Sequence, residues 1–346
     1  MPRYTNTMSA IVIASADARR MYSTRDRIAI AAVAALVIVG RLPAARAQDY
    51  PLKPVRLISP FSAGGGADTV ARFFAQRLSA ALQQQIVVDP RPGAGSIIGT
   101  ELAARAPPDG YTILIINDTH AINASLHRKL PYDPIRDFTP ITLIASTPFM
   151  LVVHPSLPVK TTQDLVKLAK ARPGQINYAS SGNGTVAHFA GEYFKMTAGV
   201  DIVHIPYRGI TGAVIDVAAG AAQMMIVSPL TVLSLVRSGK LRALAVTSTR
   251  RASALPELPT MQEGGLKRFE FSSAYGLLAP RHTPDTAIAV LNQGIARALK
   301  ADEVQARLKD ECAEPVGSTP DALQRYLIAQ TATYAKLVHA SGMKIE

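Results

Sequence analysis

Two stretches of this 346-residue chain set hydroxyls and glycines directly ahead of a helical pattern. The first is Phe61-Ser62-Ala63-Gly64-Gly65-Gly66-Ala67-Asp68, and the second is Ser180-Ser181-Gly182-Asn183-Gly184-Thr185. Glycine leaves backbone N–H groups uncovered by a Cβ, so a ligand can approach them closely. A helix N-terminus adds unpaired N–H groups and the positive end of the macrodipole. A bare loop feeding such an end suits an anion, and hydroxyls at Ser62, Ser181 and Thr185 supply further neutral donors. The chemistry these residues offer is capture of a carboxylate by dipoles and hydrogen bonds. Asp68 is expected to cap the first helix from behind its loop. Arg208 either assists from a neighbouring loop or stays solvated. The plainer reading is that each loop is only a tight strand-to-helix connection.

Other chemistries find less support. Gly93-Ala94-Gly95 with Gly99 imitates a dinucleotide fingerprint, but the spacing is G-x-G-x-x-x-G, Pro90 and Pro92 interrupt the turn, and no acidic residue closes the next strand. Gly239-Lys240 lacks the upstream glycine of a phosphate loop, and neither G-x-S-x-G nor His-Glu-x-x-His occurs. The seven histidines show no metal-ligand spacing, so no metal or cofactor is expected. His188, four residues into a helix, reads as a packed or capping residue, whereas His120 lies with Thr119 on an exit loop at the ligand side. Scattered basic residues, an aromatic share of 6% and no Trp argue against a nucleic-acid groove.

The elements that must position these groups alternate β-type runs with helical patterns, the signature of an α/β chain with mainly parallel sheets. Val55, Leu57 and Ile58 begin a strand that Pro60 stops, and Val70, Phe73, Phe74, Leu78 and Leu82 mark the helix after it. Strands follow at 85–89 and 111–116, with residues 117–120 as a polar exit loop, and one or two more lie within 141–154. From Thr161 the logic restarts: a helix, a strand at 176–180, the second glycine loop and a helix from Thr185 whose face carries Val186, Phe189, Ala190 and Tyr193. Two strand, loop and helix units suggest two anion-binding lips facing one cleft.

Residues 1–47 read as a secretory leader. Arginines precede a 13-residue apolar run, Ile28 to Gly40, and Ala45-Arg46-Ala47 is a small-x-small cleavage pattern. The seven Arg and two Asp of that leader hold five of the twelve net positive charges, leaving about +7 on the rest, a balance suited to an anionic small molecule. Cys312 is the single cysteine, so no internal disulfide forms.

Eight further signals occur in order: Pro60-Phe61 with Gly64-Gly65 and Asp68, RPGAGSIIG from Arg91, PDGYT from Pro108, LPYDP from Leu130, YASSGNGTVAH from Tyr178, HIPYRG from His204, SGKLRALAVT from Ser238 and LPT from Leu258. On these the chain resembles the Bug family, the TctC-like solute-binding proteins of tripartite tricarboxylate transporters. The resemblance implies a type II periplasmic-binding, Venus-flytrap architecture, with domain 1 over 48–148 and 273–346 and domain 2 over 149–272. It implies a small carboxylate held by Phe61, Ser62, Ala63, Gly64, Gly65, Asp68, Thr119, His120, Ser180, Ser181, Gly182, Gly184, Thr185 and Tyr207. It further implies a monomer in the periplasm, released by cleavage after Ala47, that serves membrane permease subunits and binds no nucleic acid. The helices beyond Pro284 would pack back on domain 1. Members often carry an aromatic-Asp pair where this chain has Ile226-Val227, and a Trp where it has Tyr275; Met224 to Val227 reads as plain strand core. The competing expectation is an exported α/β enzyme for a small organic acid, with His120 or His188 as base.

Overall fold

The computed structural model describes residues 50–127 and 129–341; the leader and its cleavage point lie outside the described residues. The chain begins with β1 (Val55–Ser59), α1 (Gly66–Leu82), β2 (Ile86–Pro90), a 3-10 turn at Ala94–Ser96, α2 (Ile97–Ala104) and β3 (Thr112–Ile116). It continues through α3 (Thr119–Leu126), β4 (Phe138–Pro148), β5 (Met150–Val153), α4 (Thr162–Ala171), β6 (Asn177–Ser180) and α5 (Val186–Ala198). Then come β7 (Val203–Pro206), α6 (Ile210–Ala218), β8 (Met224–Val227), α7 (Pro229–Arg237), β9 (Arg242–Val246) and β10 (Ser272–Pro280). Three helices, α8 (Asp285–Leu299), α9 (Asp302–Asp310) and α10 (Pro320–Ser341), with the two-residue β11 (Glu314–Pro315), complete it. Among the described residues no helix is long and apolar enough to cross a membrane.

The strands form two sheets with one plan. In the first, β2-β1-β3 run parallel, β10 enters antiparallel, and β4 and β11 follow. In the second, β7-β6-β8 run parallel, β5 enters antiparallel, and β9 follows. Central strands are apolar on both faces because helices cover both. Leu57, Ile113 and Ile115 meet Phe74, Leu78, Leu291 and Ile295 on one side of the first sheet. Ile58, Leu114 and Ile116 meet Tyr132, Phe138, Leu323 and Leu327 on the other. The start of α4 follows its local chemistry: the Thr161 hydroxyl accepts from Asp164 N–H, and the Asp164 carboxylate accepts from Thr161 N–H, a capping box.

The chain changes sheets between β4 and β5, and again between β9 and β10. Buried Thr247 pins the two crossings together: its hydroxyl accepts from Phe149 N–H at 2.6 Å and donates to Phe271 O at 2.5 Å. The last helix departs from expectation, because Tyr334 packs edge-on to Phe189 in the second core instead of joining Leu323 and Leu327 on the first. Asp118, the residue before α3, holds that helix by accepting from Tyr326 OH at 2.8 Å and Tyr334 OH at 2.9 Å.

Burial raises the Asp118 carboxyl from 3.8 to about 6, with the two tyrosyl donors pulling the other way. A carboxyl whose folded value lies above its unfolded one adds stability that is complete below about pH 4 and is lost as pH rises through about 6. Asp118→Asn has no such titration. Relative to the parent, its unfolding free energy should therefore rise by at most about 3 kcal/mol between about pH 4 and about pH 7. Urea unfolding of both proteins at both pH values checks this; a constant difference would show that Asp118 does not titrate there.

Candidate functional site

In each sheet the strand order reverses beside the first parallel strand, between β1 and β3 and between β6 and β8, and α/β proteins bind ligands outside the carboxyl ends of strands at such switch points. The loops leaving those four strands converge on one cavity of about 760 Å3, reached by Pro60 to Ser62, Asn117, Ser181 to Asn183 and Ser228. Helices α1, α3, α5, α6 and α7 all present N-terminal residues to it. Five positive helix ends aimed at one space create an anion site without a buried cation.

The first N–H of three of these helices is capped by a hydroxyl from the opposite wall. Gly66 N–H of α1 donates to Thr231 Oγ1 at 3.0 Å. Val186 N–H of α5 donates to Thr119 Oγ1 at 3.2 Å, and Ile210 N–H of α6 donates to Ser62 Oγ at 3.2 Å. The Thr211 hydroxyl adds a bond to Ala63 O at 2.8 Å. The next N–H of α1 and of α5, on Ala67 and Ala187, line the cavity and make no intramolecular hydrogen bond among the described residues. Both are free to meet a ligand. The glycines of the first loop make room for the facing wall as much as for a ligand: a Cβ on Gly66 would stand 2.7 Å from Tyr275 OH and 3.1 Å from Ser228 Oγ.

Below the second lip lies a polar stack that sets its shape. Ser180 Oγ accepts from Gly182 N–H at 3.1 Å and shares a 2.6 Å hydrogen bond with His204 Nε2. His188 Nδ1 accepts from Gly184 N–H at 3.2 Å. The His188 and His204 rings stack 3.9 Å apart, and Tyr178 covers His204 at 4.9 Å. Burial lowers both imidazoles, His204 to about 3, with the neighbouring ring and Lys195 adding to the effect on His204. Both stay neutral at neutral pH, so His188 keeps the lone pair that Gly184 needs.

Of the residues singled out from the sequence, Phe61, Ser62, Gly65, Thr119, Ser181, Gly182, Thr185 and Tyr207 line the cavity. Ala63, Gly64, Asp68, Ser180 and Gly184 do not; they shape the loops from behind. Thr185 is the N-cap of α5, its hydroxyl accepting from His188 N–H. Asp68 is not the N-cap of α1. That place belongs to Gly65, and Asp68 sits in the first turn, accepting from Gly64 N–H at 3.1 Å and from Arg72 Nε at 2.9 Å. Asp68→Ala should lower stability by about 1 kcal/mol, seen as a lower thermal midpoint; an unchanged midpoint would mean the carboxylate does not hold the loop.

His120 is a correction. Residues 119–120 start α3 instead of continuing an exit loop, and the His120 ring turns into the core against Tyr132 and Phe138. There Nε2 donates to Pro134 O at 2.8 Å, and burial lowers the ring to about 4. Neither His120 nor His188 reaches the cavity, so both candidate bases of the enzyme reading point elsewhere. Val227, read with its neighbours as plain core, does reach it.

Sequence reasoning missed Ser228, Thr231, Phe149, Tyr275 and His127. The Ser228-Pro229 pair could have revealed the first two, since Ser then Pro marks a helix start, here at the end of a parallel strand. The Gly93 to Ser96 turn, weighed only as a dinucleotide fingerprint, also lines the cavity.

Two α/β sheets of matching strand order around an anion cavity make this a solute-binding protein of the periplasmic-binding fold. The structure of periplasmic binding protein BugD superposes with a TM-score of 0.82 at 33% identity, covering 86% of this chain and 100% of that one. The chain belongs to the tripartite tricarboxylate transporter family of receptors, whose family description matches residues 70–343. It is 35% identical over 302 residues to BugT of Bordetella pertussis, spanning 87% of this chain and 93% of BugT. It is similar, too, to Rpa4515 of R. palustris, solved with adipate: TM-score 0.83, 36% identity, 85% of this chain and 99% of that one.

Proposed function

We propose that this chain captures a small carboxylate between the two sheets and delivers it to the membrane permease of a tripartite transporter. The observation that carries this reading is the pair of unpartnered N–H groups on Ala67 and Ala187, which reach one cavity from helices on opposite walls. The loops of Ser62 and Ser181 complete the lips, and the adipate bound to Rpa4515 supports the ligand class. Residues 48–148 with 273–346, and residues 149–272, act as the two lobes, hinged where Thr247 joins Phe149 to Phe271. The protein works as a monomer in the periplasm after cleavage behind Ala47, and it leaves its ligand chemically unchanged.

Purified protein should show a one-to-one rise in thermal midpoint with a carboxylate that is recovered intact. Small-angle scattering should show a smaller radius of gyration on saturation, as a ligand held by both lips favours the closed arrangement. Turnover of the ligand would overturn the receptor reading in favour of the enzyme. An unchanged radius with saturating ligand would overturn the hinge.

A further inference from the structure

Asp118 stands between two residues that line the cavity, Asn117 and Thr119, and is itself only 3% exposed. Its carboxylate accepts from Tyr326 and Tyr334 OH of α10, and among the described residues no Lys, Arg or His pairs with it. Burial and the Asp118 charge push both of those hydroxyls up. Tyr275 on β10, which lines the cavity, is pushed up to about 12 by burial, with the Asp118 charge adding to the effect. All three tyrosines are therefore neutral at neutral pH. On its own helix His120 turns away to Pro134 O, its ring lowered to about 4 by burial, and His127 at the far end is lowered by burial too. A carboxylate held by neutral donors has no cation to offset a second negative charge brought near it.

The path from Asp118 to the ligand is short. Thr119 Oγ1 accepts from Val186 N–H at 3.2 Å, and Ala187, whose N–H is free, is the next residue. A carboxylate on that N–H lies roughly 10 Å from Asp118. At about 10 Å and an effective dielectric of about 20, its charge makes ionisation of Asp118 about tenfold less favourable. Burial already holds this carboxyl at about 6, so the added repulsion carries it into the neutral range.

We propose that Asp118 is a proton-binding site coupled to the cavity, and that the chain takes up a proton there as it captures its carboxylate. The proposal rests on the carboxylate reading above and adds to it. The proton comes from solvent and forms an O–H bond on one Asp118 oxygen; one tyrosyl hydroxyl then accepts from it while the other keeps donating. Coupling of this kind is reciprocal, so the protonated protein binds its ligand more tightly, and affinity falls as pH rises through about 6 to about 7.

A pH-stat tests this in unbuffered potassium chloride. Succinate, adipate, citrate, benzoate and 4-methylpentanoate, each set beforehand to the pH of the protein, are added in turn to the parent and to Asp118→Asn. An acid that binds should draw about half a proton per ligand more into the parent than into the variant, with the difference largest between about pH 6 and about pH 7. Its affinity for the parent, relative to the variant, should rise up to about tenfold from about pH 8 to about pH 5.5. Should the variant fail to fold or to bind, the parent labelled with carboxyl carbon-13 aspartate decides: the resonance that titrates at about pH 6 in the empty protein should titrate at about pH 7 with saturating ligand. Equal proton uptake by the two proteins, or an aspartate resonance that the ligand leaves in place, overturns the proton site and leaves the carboxylate receptor standing. No binding of any of the five acids by the parent, confirmed by an unmoved thermal midpoint, overturns both.

Discussion

Ser181→Asp should abolish carboxylate binding while leaving the fold intact. Ser181 is half-buried on the loop between β6 and α5 and lines the same cavity as the free Ala187 N–H. An aspartate there puts a fixed negative charge where the ligand's own must sit. At about 4 Å and an effective dielectric near 20, two like charges repel by about 4 kcal/mol. Even half of that, with local relaxation, weakens affinity by more than about 30-fold. The empty protein should not suffer, because a loop position ahead of a helix tolerates an acid and the helix dipole favours it. Circular dichroism and the ligand-free thermal midpoint should match the parent, with the carboxylate-induced shift gone. A retained shift would place the ligand's carboxylate away from the second lip.

Gly191→Ala should be among the most destabilising single substitutions in the second core. A Cβ at Gly191 would lie 2.2 Å from Cε2 and 2.6 Å from Cδ2 of Tyr178, well inside contact distance. The ring cannot slide away. It is fully buried, its hydroxyl is held by Glu192 at 2.5 Å, and its face lies on His204. Overpacking of this kind reaches about 3 kcal/mol, which for a chain of this size lowers the thermal midpoint by about 5 °C. Because the Tyr178, His204 and His188 stack supports Ser180 and Gly184, ligand affinity should fall as well. A midpoint within about 2 °C of the parent would mean that the stack yields freely and does not brace the lip.

The parts of this protein that were legible along the chain are those whose cause is local. A glycine loop, a hydroxyl N-cap at Thr185, the Thr161 to Asp164 box and runs such as TILII each obey rules confined to a few neighbouring residues. That was enough to locate both lips and to expect an anion. Motif order over nearly the whole chain added the family and, with it, the two-lobed plan. What local rules could not reveal is which groups meet across the cleft. Gly66 finds Thr231 at a separation of 165 residues, and Ile210 finds Ser62 at 148. No periodicity links such positions, so Ser228, Thr231, Phe149 and Tyr275 became part of the site only once the two sheets faced one another. The same holds for His120: its place in the chain put it near the ligand, yet the first turn of α3 aims the ring into an aromatic core. By itself the sequence determined the fold class and the polarity of the lips, because helix ends and bare backbone carry their dipoles wherever they are placed. Only tertiary structure decided which helix N–H groups find a partner across the cleft and which side chains line the cavity, because both depend on which distant residues fill the remaining space.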